Sequence, residues 1–213
     1  MFMLTDYLKI GKNSNWNHTI SYQEGRGGRS RLDWFHAADP NPTYYRKLPS
    51  YGIFTEEEFK ANAQIDWMSL YQANYLNRYD MAGNEQGAVY SIVEDVNKDK
   101  TINFASHFDT KLDENWKLNI NFNYQNLKSD NFRELKDLLG ALYANNLNAF
   151  GNDQPYDLDN PNAKILVGDR TQYSYDLLRN QYTLNASTEI DLPKWTVTAS
   201  VFTSYADSQR DGK

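Results

Sequence analysis

The chain has 213 residues, enough for one domain or for part of a larger one. Its net charge of −6 invites no polyanion, so no nucleic-acid partner is expected. The absence of cysteine excludes disulfides, thiol chemistry and Cys-ligated metal sites.

A mean hydropathy of −0.79 looks too polar for a membrane protein. No run of about 20 apolar residues is present, so a helical span is excluded. A membrane barrel escapes that objection, because only alternate residues meet lipid and the lumen is wet. At the start, Met1-Phe2-Met3-Leu4 runs at once into Thr5, Asp6 and Tyr7. With no basic segment and no long apolar stretch, a signal peptide is not expected there, and the chain reads as an internal segment of a longer polypeptide.

In chain order, the first expected pair of strands runs from Leu4 to Ile10 and then through Trp16, His18, Ile20 and Tyr22. His18 interrupts the apolar side of that pair. Residues 25–87 read as a long connection rich in Gly, Pro and aromatics. Gly25-Arg26-Gly27-Gly28 reads as a flexible loop, since it lacks the Lys-Ser/Thr of a phosphate loop. Thr55 followed by Glu56-Glu57-Glu58 predicts an N-cap and the acidic first turn of a short helix ending near Trp67 or Tyr71.

Residues 101–129 form the clearest hairpin. Ile102, Phe104, Phe108, Thr110 and Leu112 share one face, then Trp116, Leu118, Ile120, Phe122 and Tyr124 after the turn. The other face is mostly Asn, Gln, Ser and Thr, which suits a water-filled lumen or any wet sheet face. Residues 88–97 predict an upward extension of the strand that begins at Thr101. The alternative is a separate strand after a turn at Asn97-Lys98-Asp99-Lys100.

Residues 130–172 read as a second long connection. Phe132 to Leu147 has helical spacing at Leu135, Leu138, Leu139, Leu142 and Tyr143. A last hairpin covers residues 173–190 and 195–205. Tyr182, Leu184, Ala186, Thr188 and Ile190 are in phase, and Tyr173, Tyr175 and Leu177 are out of phase by one. That predicts a bulge near residues 179–181.

Trp16, Trp116 and Trp195 each follow a short polar turn and open an alternating stretch on its apolar side. An antiparallel sheet would set them in a row, as a membrane–water interface selects. Tyr22, Tyr124 and Tyr205 would form the opposite girdle. From Trp116 to Tyr124 a strand rises about 27 Å at roughly 3.4 Å per residue. Tilted about 40°, that spans about 21 Å of an apolar band about 25 Å tall. Short turns at one end and long loops at the other are the asymmetry of outer-membrane barrels. The fold class expected is therefore all-β, an antiparallel meander forming part of a transmembrane barrel, with short helices in its long loops.

The stretch Arg31-Leu32-Asp33-Trp34-Phe35-His36-Ala37-Ala38-Asp39-Pro40-Asn41-Pro42-Thr43-Tyr44-Tyr45-Arg46-Lys47-Leu48-Pro49-Ser50-Tyr51 resembles a loop of the SusC/RagA-type TonB-dependent outer-membrane transporters. Gln64-Ile65-Asp66-Trp67 with Leu70-Tyr71, Tyr90-Ser91-Ile92-Val93-Glu94-Asp95, Lys136-Asp137-Leu138-Leu139-Gly140, and Thr203-Ser204-Tyr205 with Arg210-Asp211-Gly212-Lys213 resemble later pieces in the same order. The resemblance implies a large barrel with an N-terminal plug in the outer membrane of a Gram-negative bacterium. Such a protein imports oligosaccharides or peptides beneath a SusD-type surface lipoprotein, powered through TonB. This chain carries no TonB box or plug and about six of some twenty-two strands, so the segment is not expected to transport alone.

Trp34, Tyr44, Tyr45 and Tyr51 are the candidates for contact with substrate or lid, against the alternative that they pack a loop on itself. Asp153, Asp157 and Asp159 lack EF-hand spacing and read as a solvated loop. His18, His36 and His107 are isolated, so no metal and no cofactor are expected. No nucleophile elbow or carboxylate pair supports an enzyme. The alternative from another class is a soluble all-β glycan-binding module. Such a module would bury Leu118, Ile120 and Phe122 against a second sheet.

Overall fold

In a computed structural model, residues 1–212 are described. Strands make up 60% of the structure and helices 10%, so the chain is all-β. Six long strands form one open antiparallel sheet in chain order. They are β1 (Phe2–Ile10), β2 (Ser14–Trp34), β3 (Tyr90–Asp113), β4 (Trp116–Asp137), β5 (Arg170–Leu192) and β6 (Trp195–Gly212). β1 and β6 are the edges.

The chain divides into two compact units. The first holds Met1–Gly27, Asn97–Asp130 and Tyr175–Gly212, and is a single layer of paired strands. Period-two alternation builds it directly, because successive side chains point to opposite sides. β1 and β2 pair with Leu8 opposite Trp16 and Phe2 opposite Tyr22. Gly11, at φ +68°, makes the turn between them, a conformation that glycine adopts without strain. Asp113 Oδ1 accepts the Asn115 N–H at 2.7 Å and closes the turn between β3 and β4.

β5 and β6 pair without interruption from Leu192 opposite Trp195 to Tyr175 opposite Gly212. The bulge expected near residues 179–181 is absent from this ladder. The apolar residues change phase because the side chains change the face they use, while the backbone keeps its register.

The second unit holds Gly28–Val96 and Asn131–Ser174. It contains α1 (Glu56–Ala61) and α2 (Trp67–Leu76). At α1, Thr55 Oγ1 accepts the Glu58 N–H at 3.2 Å and Glu58 Oε2 accepts the Thr55 N–H at 2.8 Å, a reciprocal cap. The single expected helix is two. Asn62 ends the first, and Asp66 caps the second by accepting the Ser69 N–H at 3.1 Å.

Two further expectations are corrected here. Gly25–Gly28 is strand, because β2 continues to Trp34 and stays paired with β3. Ladder hydrogen bonds outweigh the weak strand preference of glycine. The expected helix over Phe132–Leu147 does not form either. β4 runs on to Asp137 between two neighbours that satisfy its backbone. A turn follows, with Leu139 at φ +46° and Gly140 at φ +87°. β3 does extend upward as one strand from Tyr90 to Asp113.

Among the described residues, every buried hydrophobic residue belongs to the second unit. Leu32, Leu70 and Leu139 form one cluster, and Val93, Leu135 and Ile165 another. Asn74, 1% exposed, ties α2 to the strands around it. Its Nδ2 donates to the carbonyls of Tyr90, Leu138 and Leu139 at 2.7, 2.9 and 3.1 Å. Its Oδ1 accepts the N–H groups of Val89 and Tyr90 at 2.9 and 3.0 Å.

Candidate functional site

In the first unit the apolar face is continuous across the strands. Phe104 and Phe122 lie 6.3 Å apart, Tyr124 and Tyr182 4.9 Å, and Tyr182 and Tyr205 6.3 Å. Nothing in this unit forms a second layer. Leu118, Ile120 and Phe122 are half-buried by their sheet neighbours alone and are not packed into a core.

Trp16, Trp116 and Trp195 stand at the turn ends of β2, β4 and β6. The Trp16 indole donates to Ser106 Oγ on β3 at 2.9 Å, and the Trp116 indole donates to Thr188 Oγ1 on β5 at 2.7 Å. Each bond runs to the next strand along. Trp195, on the edge strand, is 75% exposed. Tyr124 donates to Asn180 Oδ1 at 3.1 Å, and Tyr22 donates to Glu24 Oε2 at 2.8 Å. His18 stacks between Trp16 and Phe104, opposite Asp6, and its Nδ1 is buried with no hydrogen-bond partner among the described residues.

The other face of this unit is a hydrogen-bonded polar ladder. Gln125 Nε2 donates to Asn103 Oδ1 at 2.9 Å, whose Nδ2 donates to Ser21 Oγ at 3.2 Å. His107 bonds Asn121, and Asn15 Nδ2 donates to Asp109 at 2.9 Å. Such a face is satisfied by water beside it.

Several cavities open in the second unit, and two of them gather charged or aromatic side chains. The first, about 270 Å³, is polar. Arg31, Asp33, Ser91, Arg133, Thr171 and Gln172 line it, and Asp95 stands behind them. Arg133 Nε donates to Asp95 Oδ1 at 2.7 Å, the Tyr173 hydroxyl donates to the same oxygen at 2.8 Å, and Gln172 Nε2 donates to Asp33 at 2.7 Å. Arg133 also bonds Gln172. Burial pushes the Asp95 carboxyl up, but the bonds from Arg133 and Tyr173 and the charges of Arg133 and Arg31 outweigh it, and its pKa lies below the ordinary value.

The second cavity, about 590 Å³, brings Trp34 and Tyr44 together with Phe54 and Phe150, beside Arg46 and Lys47. Tyr45 and Tyr51 do not line it. They pack edge-on beside Tyr44, with Tyr44 to Tyr45 at 4.8 Å and Tyr45 to Tyr51 at 5.4 Å. Of the expected contact residues, the structure therefore unites two in a cavity and uses two as packing. Burial, then the Tyr45 hydrogen bond, raises the Tyr44 phenol, whereas the Arg46 bond lowers that of Tyr45.

His36 is not isolated. Its Nε2 lies 2.8 Å from Asp153 Oδ1, and both residues hold positive φ, +49° and +55°. Among the described residues no group of His, Cys, Asp and Glu is placed to hold a metal. Sequence reasoning missed Asp95, Arg133, Gln172, Phe54 and Phe150 as lining or supporting groups. Their proximity depends on strand register and loop return, which leave no local signal.

Comparisons with protein-family models, curated proteins and solved structures gave no match.

Proposed function

We propose that the chain is a wall segment of an outer-membrane TonB-dependent transporter of the SusC/RagA type in a Gram-negative bacterium. The whole protein would import oligosaccharides or peptides with a SusD-type surface lipoprotein as partner and TonB acting through a plug region. The segment alone does not transport. Trp16, Trp116 and Trp195 mark the periplasmic interface, with Tyr22, Tyr124 and Tyr205 at the opposite one. The long connections face outward.

One observation carries the reading: among the described residues of the first unit, a broad apolar sheet face has no second layer over it, while its reverse side is a polar ladder. Exposed apolar patches of soluble monomers rarely exceed a few hundred Å². A bilayer outside and water inside are the environments that satisfy both faces at once. The indole bonds support the same reading. Trp16 and Trp116 each reach a hydroxyl on the following strand, and Trp195 would do so if a further strand lay beside β6.

Nitroxide labels placed singly at residues 117–124, with the chain in lipid vesicles, test this. Even-numbered positions should collide with dissolved oxygen and odd-numbered ones with a water-soluble nickel chelate. A chain that stays monomeric in plain buffer and shows no alternation in vesicles is a soluble β module instead. The family and partner assignments are tested separately, by whether the complete gene encodes a plug with a TonB box and lies next to a SusD-like gene.

A further inference from the structure

We infer that the cavity lined by Trp34, Tyr44, Phe54, Phe150, Arg46 and Lys47 binds a small organic anion, a carboxylate carried on one aromatic or branched aliphatic group. At about 590 Å³ the space matches sites for molecules of that class. Four aromatic rings with Ala37, Ala38 and Ile53 supply most of its wall, and Phe150 is 88% exposed. An apolar group entering there removes ring surface from water.

The charge follows from the two cations. Arg46 Nε donates to the Tyr45 hydroxyl at 2.9 Å, and Lys47 Nζ donates to the Asp39 backbone carbonyl at 2.8 Å. Neither forms an ion pair with a carboxylate among the described residues. Asp39, the acid on the lining, is engaged: its Oδ1 accepts both the backbone N–H and the Nδ2 of Asn41, at 2.9 and 2.6 Å. The cavity is thus net positive in a chain of net charge −6. An arginine beside an aromatic wall is suited to a planar carboxylate.

A neutral sugar would find hydrogen-bond partners in Asp39, Tyr44, Arg46 and Lys47 but would bring no charge to the two cations, which an anion does. The inference deepens the reading of the long connections as ligand-facing, but it does not depend on the membrane assignment. Binding here and lipid contact at residues 117–124 are read by different measurements and fail separately.

The test is calorimetric titration of the full chain in detergent micelles. The probes are N-acetyl-phenylalanine, its uncharged amide, the tripeptide Gly-Gly-Phe with a free C-terminus, and glucuronic acid. The acid should bind at least about tenfold more tightly than the amide, and glucuronic acid more weakly than either. Arg46→Gln should remove that preference and Arg46→Lys should keep part of it. Equal binding of the tripeptide identifies a chain terminus as the source of the carboxylate, and binding of N-acetyl-phenylalanine alone identifies a free acid. Equal affinity for acid and amide, stronger binding of glucuronic acid, or no binding of any probe overturns the inference. The comparison of acid with amide uses the unaltered chain, so misfolding of a variant cannot decide it.

Discussion

The Trp116 indole N–H donates to the Thr188 hydroxyl at 2.7 Å, and that hydroxyl in turn donates to the Lys117 carbonyl at 3.0 Å. One threonine thus anchors the ring at the start of β4 and pins the neighbouring strand to it. Thr188→Val keeps the shape and removes both bonds. It should cost about 1 kcal/mol, read from urea unfolding of the chain in micelles, with a shift in Trp116 emission. An unchanged midpoint and spectrum would mean that the ring is held by its surroundings and not by this bond.

Ile120 and Asn119 are neighbours in sequence on opposite faces of β4. If the even face meets lipid, Ile120→Lys should weaken insertion by about 2–4 kcal/mol. Asn119→Lys should stay within about 0.5 kcal/mol, as water-facing substitutions usually do. Tryptophan fluorescence on transfer into vesicles measures both. Equal penalties would contradict a two-sided wall.

Asn74 satisfies two backbone donors and three backbone acceptors in a site it almost fully leaves dry. Asn74→Ala removes all five bonds, although the Leu138 carbonyl keeps the Ala141 N–H at 3.0 Å. The expected loss is on the order of 3 kcal/mol, because unpaired buried polar groups keep their desolvation cost. Hydrogen exchange at Val89 and Tyr90 should rise with it. Exchange confined to the end of α2 would show that the strands do not rely on this side chain.

Asp95 has a pKa depressed in the folded chain by Arg133 and Tyr173, against the effect of burial. Its contribution is therefore complete above the ordinary Asp value of about 3.9 and is lost as pH falls through the lower folded value. Thermal melts of the chain and of Asp95→Asn should differ at neutral pH, with the unaltered chain more stable. The gap should close on the acid side. A gap that is constant with pH would assign the effect to packing and not to charge.

The alternating faces were legible because a strand's pattern is local. Residues 102–112 and 116–124 declare which side each residue takes without any partner. The capped start of α1 was legible for the same reason, since Thr55 and Glu58 serve each other across one turn. The helix expected at Phe132–Leu147 shows where local pattern misleads. Leu135 and Leu139 do sit at helical spacing, but one reaches its cluster from a strand and the other from a left-handed turn. Spacing cannot distinguish these cases, because it is blind to the neighbours that pair with β4.

The same division holds for the functional surfaces. Trp16, Trp116 and Trp195 could be aligned from their turns alone, and Trp34 and Tyr44 stood out by composition. Only tertiary structure decided that Trp34 and Tyr44 share a cavity with Phe150, while Tyr45 and Tyr51 pack on each other. The sequence by itself determined the two-sided sheet, because side-chain direction repeats every second residue and depends on nothing distant. Tertiary structure determined the cavities and the Asn74 and Asp95 networks. Those bring together groups far apart in the chain, and their placement depends on register and loop return.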